Sequence, residues 1–304
     1  MMRSSIVGGA VPLLAVLSVM GCSDERPAEA LGQRSDALYF RNEQRLEPPG
    51  LESESGFGAY ANAVDGTRIV AAFSGQIFVW ELQGGNWTLA DTVDAPVATS
   101  DNEFASSVAL DGDRMVVGGK AAVSGVSGTA YVMVKTAGSW QLEQQLDPPA
   151  LRPVFGHAFE VQGGRIAVAA GSGNAGGAYL FALDNGTWIA DGHVNRTSPK
   201  SDDSYGAQLS LLDDRLAVSA SGAGMAFVYR RDNGSWEQEF EISGSEGVGH
   251  DVSLSGERLL VGNGNGLSSH SARVYLRSGT SWAQEQQLVP NPNPPPAAAL
   301  AFSA

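Results

Sequence analysis

Five tryptophans at nearly constant spacing constrain the fold more than any other feature of this 304-residue sequence. They are 53, 48, 48 and 46 residues apart, and each belongs to or follows a turn that contains glycine: Trp87, Trp140, Trp188, Trp236 and Trp282. A period of this length is typical of an architecture that repeats one supersecondary unit. The chain is therefore predicted to contain about five copies of one unit.

Two further markers recur with the same period. An arginine closes a turn and opens a short apolar run in each unit: Arg68, Arg114, Arg165, Arg215 and Arg258. An aromatic residue, usually followed by glycine, starts each unit: Phe57, Phe104, Phe155 and Tyr205, with Val248 as a degenerate fifth. The apolar runs are too short and too rich in β-branched residues for helices, and their continuous apolar character predicts strands that are buried on both faces.

The second unit shows the internal pattern most clearly. It contains four strand-like pieces, residues 107–110, 115–118, 130–135 and 140–146, which are joined by two tight turns and one longer loop. Four short antiparallel strands in each unit of this length predict an all-β fold, a β-propeller. WD40 repeats fit poorly because no Trp-Asp pair recurs, and kelch repeats fit poorly because the Gly-Gly pairs fall at different places in their units.

The second repeat, from Phe104 to Pro149, resembles a blade of the bacterial FG-GAP family nearly throughout. The matching features are the Phe start, the Asp-Gly-Asp-Arg turn, the Val-Val-Gly strand and the Gly-Ser-Trp turn. The likeness covers residues 57–290, although Val117-Gly118-Gly119 replaces the family's Gly-Ala-Pro. It implies a propeller of about five four-stranded blades within residues 38–290.

The amino-terminal end of this region repeats part of a blade. Residues 44–49 resemble residues 144–149, the end of the second blade, so the segment is expected to supply an additional outer strand. Blade number then stays open between five and six, with a partial sixth blade closed by this strand. At the other end, residues 291–304 form a Pro/Ala-rich tail, in which residues 297–304 are apolar enough to add a strand.

The first 21 residues carry the marks of a lipoprotein signal peptide. A single charge, Arg3, precedes an apolar run that is too short to span a bilayer comfortably, and Val19-Met20-Gly21-Cys22 resembles a lipobox. Cys22 is the only cysteine and is the expected lipid attachment site. Residues 22–37 would then be a flexible tether to an outer-membrane anchor. Cleavage at Ala28-Glu29-Ala30 is the alternative and would give a secreted or periplasmic protein.

The charge of the chain excludes several classes of partner. Its formal net charge is −14, and removal of the signal peptide makes it one unit more negative. A protein with this charge is repelled by nucleic-acid phosphates and by anionic lipid headgroups. We therefore expect no nucleic-acid partner, and contact with the membrane only through the lipid anchor.

The long connections of the repeats indicate a candidate binding face. In a four-stranded meander the first and third turns lie at one end of the sheet, and the other connections lie at the opposite end. Here the first and third turns are tight, whereas the others are long and variable, and binding residues concentrate on such loops. The acidic residues expected on this face are Asp94, Asp101, Glu103, Asp202 and Asp203.

Cofactor, metal and catalytic sites are not predicted. Gly171, Gly173 and Gly176 have the spacing of a dinucleotide fingerprint, but a strand-like run follows them where a helix is required. His157 and His250 occupy nearly the same repeat position without a metal-ligand partner at a definite spacing, so polar packing of a central channel is expected. The first turns, such as residues 111–113, are too short and have too few acids for a calcium loop.

Three functions are compatible with these features. The leading hypothesis is a binding or adhesion module of the cell envelope that holds a protein or glycan through the loop face. A propeller enzyme acting on polysaccharide is the alternative, and it would need paired carboxylates or a histidine cluster. A scaffold component of an envelope complex is the third. The recurrent tryptophans are assigned to the core, whereas Trp80, outside the repeat register, is a candidate surface contact.

Overall fold

The computed structural model describes residues 44–50, 61–73, 75–96, 102–121, 128–148, 155–170, 176–197, 200, 202–244, 248–264 and 271–289. These residues contain twenty strands and one short 3-10 turn, Ser221–Ala223. The strands form five four-stranded antiparallel sheets, and in each sheet the strand order follows the chain order. This is the predicted all-β arrangement of about five four-stranded propeller blades. The signal peptide, Cys22, the tether and residues 291–304 lie outside the described residues.

The strands are numbered in chain order, four to a blade. Blades 1 and 2 comprise β1 (Asn62–Asp65), β2 (Arg68–Phe73), β3 (Gln76–Gln83), β4 (Asn86–Asp94), β5 (Asn102–Asp111), β6 (Arg114–Ala121), β7 (Thr129–Thr136) and β8 (Ser139–Leu146). Blades 3 and 4 comprise β9 (Phe155–Gln162), β10 (Arg165–Ala170), β11 (Gly177–Asp184), β12 (Thr187–Asn195), β13 (Tyr205–Leu212), β14 (Arg215–Ala220), β15 (Met225–Asp232) and β16 (Ser235–Ser243). Blade 5 comprises β17 (Val248–Ser255), β18 (Arg258–Asn263), β19 (Ser271–Ser278) and β20 (Ser281–Leu288).

The turn before each recurrent tryptophan is a tight hairpin. In blade 3 the two turn residues, Asn185 and Gly186, have φ angles of 49° and 82°. Positive φ at both central positions suits asparagine and glycine and matches the twist of the flanking strands. The Asn-Gly pairs therefore act as hairpin turns.

The second strand of each blade is buried on both faces where a blade follows. Val116 and Val117 in β6 have no exposed surface although their side chains point in opposite directions. Val116 faces blade 3 together with Leu146, whereas Val117 faces blade 1. This confirms the prediction from the continuous apolar runs, because both faces of a blade pack against a neighbour.

The hydrophobic core consists of clusters that lie between consecutive blades. Between blades 2 and 3, Val132 and Leu146 contact a group that includes Phe155, Ile166 and Trp188. Equivalent clusters join blades 1 and 2, 3 and 4, and 4 and 5. Within the described residues, blade 5 makes no extensive contact with blade 1, so the series of five blades does not close on itself.

The amino-terminal segment, residues 44–50, lies on the free face of blade 1. The Gln44 side chain donates to the Trp87 carbonyl (2.5 Å) and accepts from the Trp87 amide (2.7 Å). Gln144 of blade 2 makes the same pair of bonds to Trp188, each 2.8 Å long. The segment thus takes the place of an outer strand of a preceding blade, as its resemblance to residues 144–149 predicts. It is not part of any of the five sheets.

Trp80 is a core residue, and its predicted role as a surface contact is wrong. It is 3% exposed and clusters with Ala71, Phe78 and Trp87, against which Leu46 packs. Its place in β3 corresponds to that of Met133 in β7, which is also buried. The sequence could not show this burial, because it depends on the amino-terminal segment that covers blade 1.

The described residues contain no helix with the length and hydrophobicity needed to cross a membrane.

Candidate functional site

The two ends of the sheets differ in how their polar groups are used. We call the end that carries the tight turns the turn face, and the opposite end the loop face. On the turn face, side chains at the ends of inner strands accept hydrogen bonds from backbone amides of the next blade: Asp65 from Gly112 (2.6 Å), Asp111 from Gly163 (2.8 Å) and Gln162 from Asp213 (2.8 Å). The turn face therefore fastens blades together.

Ion pairs link blades near the outer strands, and sequence reasoning missed them. Glu143 in β8 binds Arg114 of its own blade (3.0 Å) and accepts from the Trp188 indole nitrogen of the next blade (2.9 Å). Asp191 in β12 lies 3.9 Å from Arg165 of its own blade, and in the next blade it binds Arg231 (2.6 Å) and contacts the Trp236 indole nitrogen (3.4 Å). The recurrent arginines and tryptophans are thus connected through carboxylates. The signal was an acid three residues after most of the recurrent tryptophans.

These links perturb the ionisation of Glu143. Hydrogen bonds from Arg114 lower the pKa of this carboxyl, burial opposes that effect, and the Trp188 indole lowers the pKa further. The carboxylate therefore stays charged in a half-buried position. This arrangement belongs to the blade interface and not to a ligand site.

The loop face carries the long connections of the repeats, and most of their residues lie outside the described part of the chain. Two of the predicted acidic residues are described there and exposed. Asp94 ends β4 and accepts a hydrogen bond from Gln76 (2.6 Å), and Asp202 lies in the connection between blades 3 and 4. Asp101 lies outside the described residues, and Glu103 is described only as backbone in β5.

Asp203 has a structural environment that differs from the exposed position expected of it. It is 4% exposed, forms an ion pair with Arg196, and accepts from the Lys200 amide (2.8 Å). Burial opposes its ionisation, but the Lys200 amide and the Arg196 guanidinium outweigh burial and lower its pKa. These contacts fix the connection between blades 3 and 4. They also mean that the charge of Asp203 is already neutralised inside the protein.

Another acidic residue, not included in the predicted set, lies on this face. Asp147 directly follows β8, is exposed, and accepts from Gln145 (3.0 Å) and more weakly from Thr129 (3.4 Å). Its position after the outer strand corresponds to that of Asp94 in blade 1. Asp94, Asp147 and Asp202 make up what we call the acidic rim. Within the described chain, none of the three is paired with a lysine or arginine.

The inner strands bring His157 and His250 to equivalent, exposed positions on the side of the loop face. Blade 4 lies between their blades. Next to His250, burial raises the pKa of Asp251, while the Val252 amide and His250 partly offset that effect. The described residues contain no group of three or more His, Cys, Asp or Glu side chains placed to hold a metal ion.

Glu160 in β9 is the most perturbed acid near the inner strands. Burial raises its pKa well above the usual range, and no hydrogen bond to its carboxyl group is found in the described part of the protein. The residue faces blade 4 from the interface, where the equivalent Ser210 of blade 4 accepts from the Leu254 amide of blade 5 (2.9 Å). Glu160 is thus placed between blades and not in an open cleft.

The glycines with dinucleotide-like spacing lead into a strand. β11 begins at Gly177, one residue after the last of them, so the helix that would bind a pyrophosphate is replaced by a strand. This agrees with the interpretation of this stretch as a connection between strands.

Comparisons with known proteins support the fold alone. No protein-family model matches the sequence, and no curated protein matches it either. Among solved structures, a putative 6-phosphogluconolactonase from Bacteroides uniformis is similar with a TM-score of 0.52 and 16% identity, over 74% of this chain and 69% of that one. Hsv2p from Kluyveromyces lactis is similar with a TM-score of 0.51 and 12% identity, over 74% and 71%.

A protein from Lactobacillus plantarum gives a TM-score of 0.50 and 13% identity, over 73% of this chain. This chain spans 65% of its length. The chain therefore has a β-propeller fold, and identities this low carry no information on ligand or activity.

Proposed function

We propose that this protein is a lipid-anchored binding module of the cell envelope that holds a protein or glycan ligand on the loop face of an FG-GAP-like propeller. The observation that carries the proposal is the contrast between the two faces. On the turn face the polar groups at the ends of the inner strands are used in bonds between blades, whereas the acidic rim presents exposed carboxylates without a cationic partner among the described residues. Such carboxylates are available to amine or hydroxyl groups of a ligand.

The enzyme and scaffold alternatives have weaker support. Glycoside hydrolysis needs two carboxyl groups on opposite sides of one bond. Of the described acids with altered pKa values, Glu160 lies in a blade interface and Asp203 in an ion pair. No observation on the described residues favours catalysis over binding.

Binding through the acidic rim can be tested with two charge-matched triple variants of the mature domain. The first changes Asp94, Asp147 and Asp202 to asparagine, and the second changes Asp113, Asp184 and Asp232 on the turn face. Binding would be measured on a glycan array and on isolated envelope fractions. We expect the first variant to lose binding that the second retains. Equal binding by both variants would contradict a ligand site on the loop face.

The anchor is tested separately, through Cys22→Ala in the full chain. We expect this variant to move from the membrane fraction to the soluble fraction, since the domain's negative charge gives it no other attraction to anionic lipid. Cys22→Ala protein that stays with the membrane to the wild-type extent would show that lipidation is not the means of attachment.

A further inference from the structure

Each outer strand contains a β-bulge at the same place. In β8 the residue skipped by the strand pairing is Glu143, and in β20 it is Glu285. Side chains alternate between the two sides of a regular strand, but a bulge re-aims one of them. Consecutive residues of β8, Glu143 and Gln144, can therefore both face blade 3, where they bind Trp188.

The residue after the bulge meets the recurrent tryptophan of the following blade in all four pairs of consecutive blades. The partners are Asp91 and Trp140, Gln144 and Trp188, Gly192 and Trp236, and Phe240 and Trp282. The first two contacts are hydrogen bonds to the tryptophan backbone, the third is close packing against the ring, and the fourth is ring stacking. One blade therefore recognises the tryptophan of the next through this position.

Blade 2 shows this recognition in its most complete form. Gln144 donates to the Trp188 carbonyl and accepts from its amide, each at 2.8 Å, and Glu143 accepts from the indole nitrogen at 2.9 Å. Arg114 fixes the Glu143 carboxylate with hydrogen bonds of 3.0 Å. Leu146 packs in the same apolar cluster as the ring. We call this set of glutamate, glutamine and leucine a tryptophan clasp.

Blade 5 carries the same clasp without a tryptophan. Arg258 fixes the Glu285 carboxylate with two hydrogen bonds of 2.8 Å. Gln286 is exposed and makes no hydrogen bond within the described residues, and Leu288 is 42% exposed. Both clasps have the sequence Glu-Gln-Gln-Leu and have the bulge at the glutamate. The groups that hold a tryptophan in blade 2 are therefore all present in blade 5.

We propose that the clasp of blade 5 is a binding site for a tryptophan in an extended segment of a partner protein. The clasp offers an acceptor to the indole nitrogen, a donor and an acceptor to the backbone, and an apolar side chain to the ring. Tryptophan fits this set because it combines a large ring with one N–H donor and no acceptor. The site lies on the side of blade 5 and not on the loop face, so it is independent of the loop-face ligand.

The tryptophans of this sequence do not fill the clasp. There are six, and all of them lie in described strands and pack in the apolar clusters of the five blades. Four are at most 7% exposed, and the other two, Trp236 and Trp282, are partly buried against the preceding blade. A second copy of the chain offers no free tryptophan either. This favours a different protein as the partner.

A cyclic hairpin peptide tests the clasp on the full chain. The peptide has the sequence of residues 177–195, the β11–β12 hairpin whose Trp188 is held by the clasp of blade 2. Its ends can be joined, because Gly177 and Asn195 pair with each other in the protein. Fluorescence anisotropy of the labelled peptide would measure binding. We expect saturable binding, and binding weaker by roughly tenfold or more for the peptide with Trp188→Ala.

Two glutamine variants of the protein locate the binding. Gln286→Ala removes the backbone partner from the clasp and should weaken binding roughly tenfold. Gln287→Ala changes the neighbouring exposed residue of β20 and should leave binding unchanged. Circular dichroism verifies that both variants remain folded. The proposal would be overturned by a wild-type chain that does not bind the peptide, by equal binding of the two variants, or by equal binding of the Trp188→Ala peptide.

Discussion

Blades 2 and 5 contain the same tetrapeptide, Glu-Gln-Gln-Leu, in the same place of the outer strand but in two environments. In blade 2, residues 143–146 meet blade 3: Glu143 and Gln144 hold Trp188, and Leu146 is 2% exposed. In blade 5, residues 285–288 meet no blade in the described structure, and Leu288 is 42% exposed. The strand forms in both cases. Strand formation is therefore a property of the repeat, and stabilisation of this segment comes from the neighbouring blade.

The largest effect is expected when Trp188, which Glu143 and Gln144 of blade 2 hold, is replaced. Trp188→Ala should destabilise the protein by about 3 to 5 kcal/mol, because the indole is 3% exposed and loses both its packing and its bond to Glu143. Trp282→Ala in blade 5 should cost less, since Trp282 is half-buried and its indole nitrogen has no partner in the described chain. Urea denaturation midpoints measure both. Equal losses would mean that the deeper burial of Trp188 and its bond to Glu143 do not set the cost.

The second test compares the two glutamines. Gln144→Ala should cost about 1 to 2 kcal/mol, because the amide and carbonyl of Trp188 would lose their side-chain partners at a half-buried site. Gln286→Ala is the control, since its side chain is exposed and makes no hydrogen bond within the described residues. Its denaturation midpoint should match that of the wild type. A similar loss in both variants would show that the effect arises within the strand.

A third test uses pH on the two glutamates. The folded-state pKa of Glu143 is lowered, chiefly by Arg114, so its contribution is present above the unfolded pKa and is lost as pH falls through the folded pKa. Glu143→Gln should therefore cost about 1 kcal/mol at neutral pH, and less as the solution is acidified below about pH 4.5.

Glu285→Gln provides the control for this measurement. Arg258 lowers the pKa of Glu285 in the same way, but the pair is open to solvent. Salt should screen its contribution, whereas the Glu143 contribution should persist. Chemical denaturation across pH, at low and high salt, measures both. A Glu143→Gln penalty that stays constant across pH would rule out the ionised carboxylate as its source.

The smallest expected effect is that of calcium. On the turn face, Asp65 and Asp111 already accept amides of the following blade, so these carboxylates act as links between blades. We expect melting midpoints to be the same with excess chelator and with millimolar calcium. An upward shift of the midpoint with calcium would show that the protein has a cation site.

The sequence was sufficient for the elements within a blade but not for what joins the blades. Period, turn residues and apolar runs located all four strands of blade 2, and the structure extends β5 and β6 by a few residues at their ends. The burial of Trp80 depends on a segment distant in sequence, and that of Asp203 on the way its own loop folds around Arg196 and Lys200, so the repeat pattern misplaced both. The role of Gln144 was easier to predict, since residues 44–49 and 144–149 both begin with a glutamine. The ligand stays unpredicted because the loops that would select it vary between repeats.

The position of residues 44–50 also has a consequence for the order in which the chain assembles. A chain that emerges from its amino terminus brings this segment out before blade 1, so the outward face of the first sheet can be covered as soon as that sheet forms. Each later blade then packs on the face of a blade that has already folded, as in other repeat proteins whose units contact only their neighbours. Growth would proceed in one direction, and the exposed apolar surface would always be at the most recently made end. An assembly intermediate of this protein would therefore expose one aggregation-prone apolar face and not two.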